Sequence, residues 1–301
     1  MEPWIPFTIA AAFFQNLRSA MQKHLQGKLS TLGAAYVRFV YALPVAMLFF
    51  AGVIYFTGQP VPQLHQTFLL YALLGGMCQI MFTVFLLWLF SFHNFAVGTA
   101  FSKLETIMVA IFGLLLLGDK VTPVVTFAIV ISAGGVVVLS AGRSKLSWSR
   151  LGAGLWRMPT LIGLACAAWL GASVVFFRGA SLSLRLDNFL VAASYTLLIV
   201  LLLQIVIMGA FIALREASEL KKVFIHWRLA SLVGISGGLA SIGWFAAFTL
   251  QNATYVRALG QIDLIFAFIA SVMVFREKVS RAELIGIGLI AAAIIILLFA
   301  G

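Results

Sequence analysis

The sequence predicts an all-α integral membrane protein, and three observations support this. Hydrophobic residues make up 63% of its 301 positions and charged residues only 10%, whereas soluble domains average roughly 25% charged residues. Apolar runs of about 20 residues, enough for a helix to cross roughly 30 Å of hydrocarbon, recur along the whole length. The second half of the chain also repeats the pattern of the first.

Ten apolar runs are long enough to be transmembrane helices. Turn-forming or charged residues separate them, as in TGQPVP at 57–62 and LGDK at 117–120. The predicted helices are 4–22, 31–56, 67–90, 96–117, 122–141, 160–182, 188–214, 229–250, 254–275 and 282–300.

An internal repeat organises the chain. Residues 94–141 align with residues 252–299 without a gap, at an offset of 158 positions. This alignment places Glu105, inside one apolar run, on Asp263, inside another. Self-similarity of this kind indicates a duplicated structural unit.

Each half of the chain holds five predicted helices, and a long polar stretch at 142–159 joins the halves. Because five is odd, the second half enters the membrane with the opposite orientation. The sequence therefore predicts two inverted five-helix repeats, 1–150 and 151–301, that form one structural unit. Inverted repeats are typical of secondary transporters, whose sites lie near the membrane midplane where the repeats meet.

The formal net charge of +11 does not indicate nucleic-acid binding. In membrane proteins Lys and Arg gather in short loops, where they set orientation and meet anionic lipid headgroups. Assigning the loops alternately places thirteen basic residues on one side and three on the other, the three being Lys120, Arg185 and Arg257. The positive-inside rule then places both termini outside the cytoplasm.

Two segments that follow the paired acids resemble a known family. They read LLLLGDKVTPVVTFAIVISAGGVVVLS at 114–140 and VFREKVSRAELIGIGLIAAAIIILL at 274–298, and they are similar to the pattern of the EamA domain of the drug/metabolite transporter (DMT) superfamily. The resemblance covers the chain as two tandem domains. It implies ten helices around a central cavity and alternating-access transport of small organic solutes.

The chain departs from this family pattern in two places. Thr106 and Leu264 follow the acids where many members have proline, and Asp119 replaces the usual Glu. Members of the family usually have both termini in the cytoplasm, which opposes the charge bias of the loops. The orientation of the chain therefore stays open.

Glu105 and Asp263 are the acids that lie inside predicted helices, about ten residues from the start of each, while the other seven acids lie at or beyond helix ends. A charge at mid-bilayer costs about 2.5–3.5 kcal/mol on insertion scales. Two acids at equivalent repeat positions suit a proton acceptor and releaser, or a counter-ion for a cationic substrate. The alternative is that each acid pairs with a nearby Lys or Arg and only holds helices together.

Basic residues also lie within the predicted helices, at Arg18, Arg38, Lys103 and Arg178. Arg18 and Arg178 are a second repeat pair, which together with the acids could hold both ends of a zwitterion. Alternatively, their long side chains extend to the membrane surface. Lys103 lies two residues before Glu105, so the two face different directions and Lys103 is expected to reach another helix. Arg38 lies deeper and is expected to be paired.

Several polar and aromatic residues are further candidates for the solute site. The amides could bind a solute or join helices, and the tryptophans could line a cavity or lie at the membrane interface. These candidates are Gln15, Asn16, Gln79, Gln261, Trp88, Trp169 and Trp244.

These features favour a secondary active transporter of a small polar, amino-acid-like metabolite in a bacterial inner membrane. Transport would proceed by alternating access, coupled to protons or to exchange. The expected partners are a small-molecule solute and membrane lipids, not nucleic acid, and the protein is expected to be a monomer or homodimer. Alternatives are a multidrug or organic-cation exporter and a flippase of a lipid-linked substrate.

An enzyme is not expected, because the sequence has no HExxH or GxGD motif and no nucleophile beside a base. Cys78 and Cys166 lie inside apolar runs and are expected to be packing residues. No cofactor or metal site is predicted.

Overall fold

A computed structural model describes residues 2–25, 28–89, 104–144, 158–273 and 280–300. These residues form helices and short turns, and no strand occurs among them, which confirms the all-α class. Within this part of the chain, six helical segments are long and apolar enough to cross a membrane, and shorter apolar helices accompany them. The count of ten transmembrane helices stays a prediction.

The helices begin and end close to the predicted bounds in most cases. They are α1 (Trp4–Leu25), α2 (Thr31–Val40), α3 (Leu43–Thr57), α4 (Gln66–Leu89), α5 (Glu105–Phe112), α6 (Pro123–Ser144), α7 (Met158–Ser183), α8 (Phe189–Arg215), α9 (Ala217–Ile225), α10 (Trp227–Leu250), α11 (Ala253–Gly260), α12 (Ile262–Met273) and α13 (Arg281–Ala300). A π-helical turn, Gly113–Leu117, directly follows α5.

The helix predicted at 31–56 is found as one apolar segment long enough to cross a membrane, Thr31–Thr57, but it is interrupted at Tyr41 and Ala42 between α2 and α3. Pro44 lies at the start of α3. In a continuous helix its ring would clash with the carbonyl group four residues earlier, that of Val40. Val40 is the last residue of α2, so the helix ends where this clash would begin.

The single helix predicted at 254–275 is also interrupted. Helix α11 ends at Gly260 and α12 begins at Ile262. Glycine is a poor helix former, since it loses the most backbone entropy on ordering. Between the two helices, the Gln261 N–H donates to the carbonyl groups of Ala258 and Leu259. Short helices that meet inside a span are typical of transporter binding sites.

Helix α9 lies in a stretch that the sequence analysis treated as a loop. Its buried residues are Glu219 and Val223, four positions apart and therefore on one face. Lys221, Lys222 and Phe224 are exposed. The stretch is amphipathic, but its charges and short length are also typical of a loop.

The chain packs as two compact units, each built from both sequence halves. Unit 1 comprises Met1–Ile80 and Ser173–Gln251, and unit 2 comprises Met81–Ala172 and Asn252–Gly301. The predicted domain boundary between residues 150 and 151 lies outside the described residues, and the predicted domains stay a prediction.

Small residues allow helices to approach closely within each unit. In unit 1, α1 packs along α10, and a Cβ atom at Gly243 would lie 2.8 Å from the Phe7 carbonyl oxygen. In unit 2, α6 packs along α13, and a Cβ atom at Gly286 would lie 2.6 Å from the Leu139 nitrogen. Backbone contacts of this kind are a common basis of helix association in membranes.

Candidate functional site

Glu105 and Arg257 form a buried ion pair in unit 2. Glu105 lies in the first turn of α5 and Arg257 lies in α11. The Arg257 guanidinium contacts the Glu105 carboxylate, and the two side chains are 6% and 7% exposed. The pair joins α5 to α11, the helix that directly precedes α12, and α12 is the helix that aligns with α5 in the sequence repeat.

Asp263 attracts the same arginine electrostatically. It is buried in the first turn of α12. Arg257 and Asp263 lie on opposite sides of the interruption at Gln261. We call Glu105, Arg257 and Asp263 the ion cluster; these three are the buried charged residues of unit 2 among those that the structure describes.

Capping at both ends of α11 positions Arg257. The Asn252 side-chain oxygen accepts a hydrogen bond of 2.9 Å from the Thr254 N–H, a typical N-terminal cap. Gly260 ends the helix. Arg257 therefore lies in a helix of only two turns whose ends are both fixed.

A small, mostly apolar cavity is lined in part by residues that are close in sequence to the ion cluster. Its volume is about 10 Å³, which is close to the smallest space that holds one water molecule. The lining residues are Leu104, Thr106, Ile107, Ile129, Ser132, Ala133, Val136 and Gln261.

Two buried oxygen atoms at this cavity lack a hydrogen-bond partner among the described residues, Ser132 Oγ and Gln261 Oε1. The other end of the Gln261 amide is satisfied, because Nε2 donates to Thr106 Oγ1 at 2.9 Å. Buried polar atoms usually have a partner. A single polar guest at this cavity would therefore find acceptors already in place.

Four of the predicted candidates in unit 1 form hydrogen bonds with neighbouring helices: Gln15, Gln79, Arg178 and Trp244. Trp244 Nε1 donates to Gln15 Oε1 at 3.0 Å, and Gln204 Nε2 donates to Gln79 Oε1 at 2.8 Å. Arg178 donates to the carbonyl oxygen of Phe248 at 2.6 Å. Each of these interactions joins two helices within the unit.

The remaining candidates have more varied surroundings. Arg18 is buried, and its Cδ atom lies 3.1 Å from where a Cβ of Gly237 would be. The Arg38 guanidinium lies 5.6 Å from the centre of the Phe39 ring. Asn16 is half-buried. Lys103 lies outside the described residues.

Trp88 and Trp169, both in unit 2, are 43% and 36% exposed. Trp88 stacks on Phe85, with 6.0 Å between ring centres. The structure therefore brings Glu105, Asp263 and Gln261 into one region of unit 2, and it keeps these two tryptophans at that unit's surface.

Arg257 is a candidate functional residue that was not predicted from the sequence. It was assigned to a loop and counted among the charges that set orientation, and that assignment is wrong because Arg257 is helical and 5% exposed. The available signal was its position inside the predicted helix 254–275. With Arg257 removed from the count, the charge bias between the two sides becomes larger.

Two comparisons with known proteins describe the fold and the family. A solved crystal structure of a protein superposes with a TM-score of 0.73 and 16% identity, covering 99% of this chain and 96% of that one. At this identity the likeness shows the fold alone. No curated protein matches the chain by sequence.

Residues 2–141 match the EamA-like transporter family, whose members are transporters and not enzymes. The apolar helices and this match together identify an integral membrane protein. The match over residues 2–141 is consistent with an EamA domain of the DMT superfamily in this part of the chain.

Proposed function

We propose that the protein is a secondary active transporter of a small polar, amino-acid-like metabolite, with Glu105 and Asp263 as its coupling acids. One observation carries the proposal: two buried acids act on a single buried arginine. The match of residues 2–141 to a transporter family supports the general function, and the ion cluster supports the coupling.

The ion cluster has a net charge when its three residues are ionised. With both acids ionised, the two carboxylates and one guanidinium of the ion cluster sum to one negative charge. Burial of a net charge is costly. The ion cluster can lose its charge by binding a proton, or it can attract a cationic group such as the ammonium of an amino-acid-like solute.

These two events compete, because either one neutralises the same negative charge. Binding of the ammonium group would therefore release a proton, and binding of a proton would weaken solute binding by the same factor. If the two conformations of alternating access differ in how they expose the ion cluster, each ligand shifts the balance between them. This competition would couple solute and proton movement in opposite directions.

The test is solute flux in liposomes that contain the purified protein. We expect Glu105→Gln and Asp263→Asn each to remove flux driven by a pH gradient. The matched control is Asp187→Asn, which neutralises an exposed acid and should leave flux unchanged. Full flux and an unchanged pH dependence in both ion-cluster variants would refute the coupling role.

Export of organic cations is a second candidate function. Intramembrane bases would repel a cationic guest, but in this structure Arg257 is paired with Glu105 and Arg178 donates to backbone carbonyl groups. The same liposomes distinguish the two functions. Efflux of a lipophilic cation such as ethidium, without flux of any amino acid, would favour the second.

A further inference from the structure

A basic pocket lies in unit 1, where the segment after α1 approaches the turn between α9 and α10. Its volume is about 350 Å³. The lining residues are Lys28, Ile225, His226, Trp227, Arg228 and Leu229. We call this space the interfacial pocket; it combines two cationic side chains, one imidazole and three apolar side chains.

The two cations of the interfacial pocket are not neutralised by the described part of the protein. No carboxylate among those residues pairs with Lys28 or Arg228. Arg228 instead lies over the Trp227 ring, with its guanidinium carbon 5.7 Å from the ring centre. The interfacial pocket therefore has a positive charge that an anion would balance.

The nearest acids along the chain are engaged elsewhere. The Ser30 N–H donates to Glu219 Oε2 at 2.7 Å, and the Ser30 hydroxyl donates to Glu216 Oε2 at 2.7 Å. Lys222 forms an ion pair with Glu219 at 2.6 Å. These interactions also fix the start of α2 against α9, so that Lys28, two residues before Ser30, stays beside the turn after α9.

A second set of contacts holds the end of α9, next to the interfacial pocket. The Tyr41 hydroxyl donates to the Val223 carbonyl oxygen at 3.1 Å, and the Tyr41 ring lies 6.3 Å from the ring of Phe224. The end of α9 is therefore anchored on α2 and its following turn. These contacts position Ile225, which directly follows Phe224 and lines the interfacial pocket.

Large apolar side chains surround the charged residues and are exposed. Phe224, Ile225 and Trp227 are 57%, 69% and 56% exposed. Phe224 and Ile225 end α9, and Trp227 is the first residue of α10. Because α8 and α10 are apolar enough to cross a membrane, these side chains lie at a membrane surface. Tryptophan and amphipathic helices are typical of this boundary between headgroups and acyl chains.

We propose that the interfacial pocket binds the phosphate of an anionic phospholipid. Lys28 and Arg228 would donate hydrogen bonds to the phosphate oxygens, and the acyl chains would lie along Phe224, Ile225 and Trp227. Basic pockets between transmembrane helices are suited to such headgroups. A free phosphate ion would gain the polar contacts but not the apolar ones, so the structure favours the lipid.

The test is native mass spectrometry of the detergent-purified protein after lipid is added. This method measures how much lipid stays bound to the folded protein. Phosphatidylglycerol should be retained more strongly than phosphatidylcholine, and inorganic phosphate should neither bind nor compete at the same concentration. Each basic residue near a membrane surface contributes about 1 kcal/mol, so Lys28→Gln with Arg228→Gln should weaken phosphatidylglycerol binding about 25-fold.

The matched control is Arg215→Gln with Lys221→Gln, which removes the same charge from exposed residues that do not line the interfacial pocket. This control should retain at least half of the wild-type lipid. Equal loss in both double variants, no preference for phosphatidylglycerol, or displacement of the lipid by inorganic phosphate would each overturn the proposal. The single variant Arg228→Gln, expected to weaken binding about fivefold, supplies the same reading if the double variant does not fold.

Discussion

Arg178 in unit 1 and Arg257 in unit 2 are both arginines inside apolar helices, but their partners differ. Arg178 donates to the carbonyl oxygens of Phe248 and Gln251. These lie at the C-terminal end of α10, where backbone carbonyl groups have no partner within the helix. Arg257 instead contacts the Glu105 carboxylate.

The difference concerns which partners can change charge. A backbone carbonyl group accepts hydrogen bonds at every pH, so these two hydrogen bonds of Arg178 do not depend on protonation, and they stabilise one helix end. A carboxylate can bind a proton, so the interactions of Arg257 depend on protonation. Two arginines of the same chain are therefore expected to serve structure in one case and coupling in the other.

Removal of Arg257 is expected to have the largest effect. Arg257→Gln leaves Glu105 buried without its partner, which should lower the free energy of unfolding by about 3–5 kcal/mol. The double variant with Glu105→Gln should recover part of this loss, because the uncompensated charge is gone, yet pH-driven flux should stay absent. Titration of the folded fraction with SDS measures the free energy of unfolding. Equal stability of the single and double variants would contradict the ion pair.

Removal of Arg178 should lower the free energy of unfolding by less than removal of Arg257, and it should leave the pH dependence of flux unchanged. Hydrogen bonds from charged groups contribute about 1.5–3 kcal/mol, so Arg178→Gln should cost about that much. Neutralisation of Glu105, the partner of Arg257, should not rescue this variant, because Arg178 donates to the carbonyl groups of Phe248 and Gln251. The dependence of flux on pH, measured in the surviving folded protein, should match the wild type. A shifted pH profile would assign Arg178 to the coupling machinery as well.

Removal of Glu219 is expected to have the smallest effect on stability. Glu219 is a buried acid of unit 1, and it lies in α9, between the long helices α8 and α10. Burial raises its pKa, but hydrogen bonds from Lys222 and the Ser30 N–H outweigh burial, so the pKa lies below its ordinary value of 4.5. A lowered pKa stabilises the folded state above the unfolded-state value, and this contribution disappears as the pH falls through the folded-state value.

Glu219→Gln should therefore reduce the free energy of unfolding by about 0.3–1 kcal/mol at pH 7, as for a carboxylate near a helix start. The difference from the wild type should shrink on acidification below pH 4.5, the ordinary value for this group. Asp187→Asn is the control, since this acid is exposed. If the wild type instead became more stable relative to Glu219→Gln as the pH falls, the pKa of Glu219 would be raised and not lowered in the folded state.

Much of the helical layout could be predicted because apolar length alone fixes where a helix can cross a bilayer. The predicted bounds 160–182 and 188–214 match α7 and α8 closely. Glu105 and Asp263 could be singled out for the same reason, since an acid in an apolar run is conspicuous. Their repeat relationship then followed from the alignment of the two halves.

The partner of these acids could not be found in the same way. Arg257 lies three residues inside its predicted helix, where basic side chains commonly extend to the membrane surface. The interruption at Gln261, flagged locally by Gly260, turns this short helix into a separate element. Which helix faces Arg257 depends on packing between α5 and α11, which sequence spacing does not encode.

The distance along the chain between Glu105 and Arg257 has a consequence for biosynthesis. Glu105 leaves the ribosome long before Arg257 exists, so helix α5 must enter the bilayer without the partner that the folded protein provides. Insertion of that helix would therefore be least costly with its carboxyl group protonated, or held beside the translocation machinery until α11 arrives. Reversible protonation of Glu105 would therefore also allow α5 to be inserted before α11 is made.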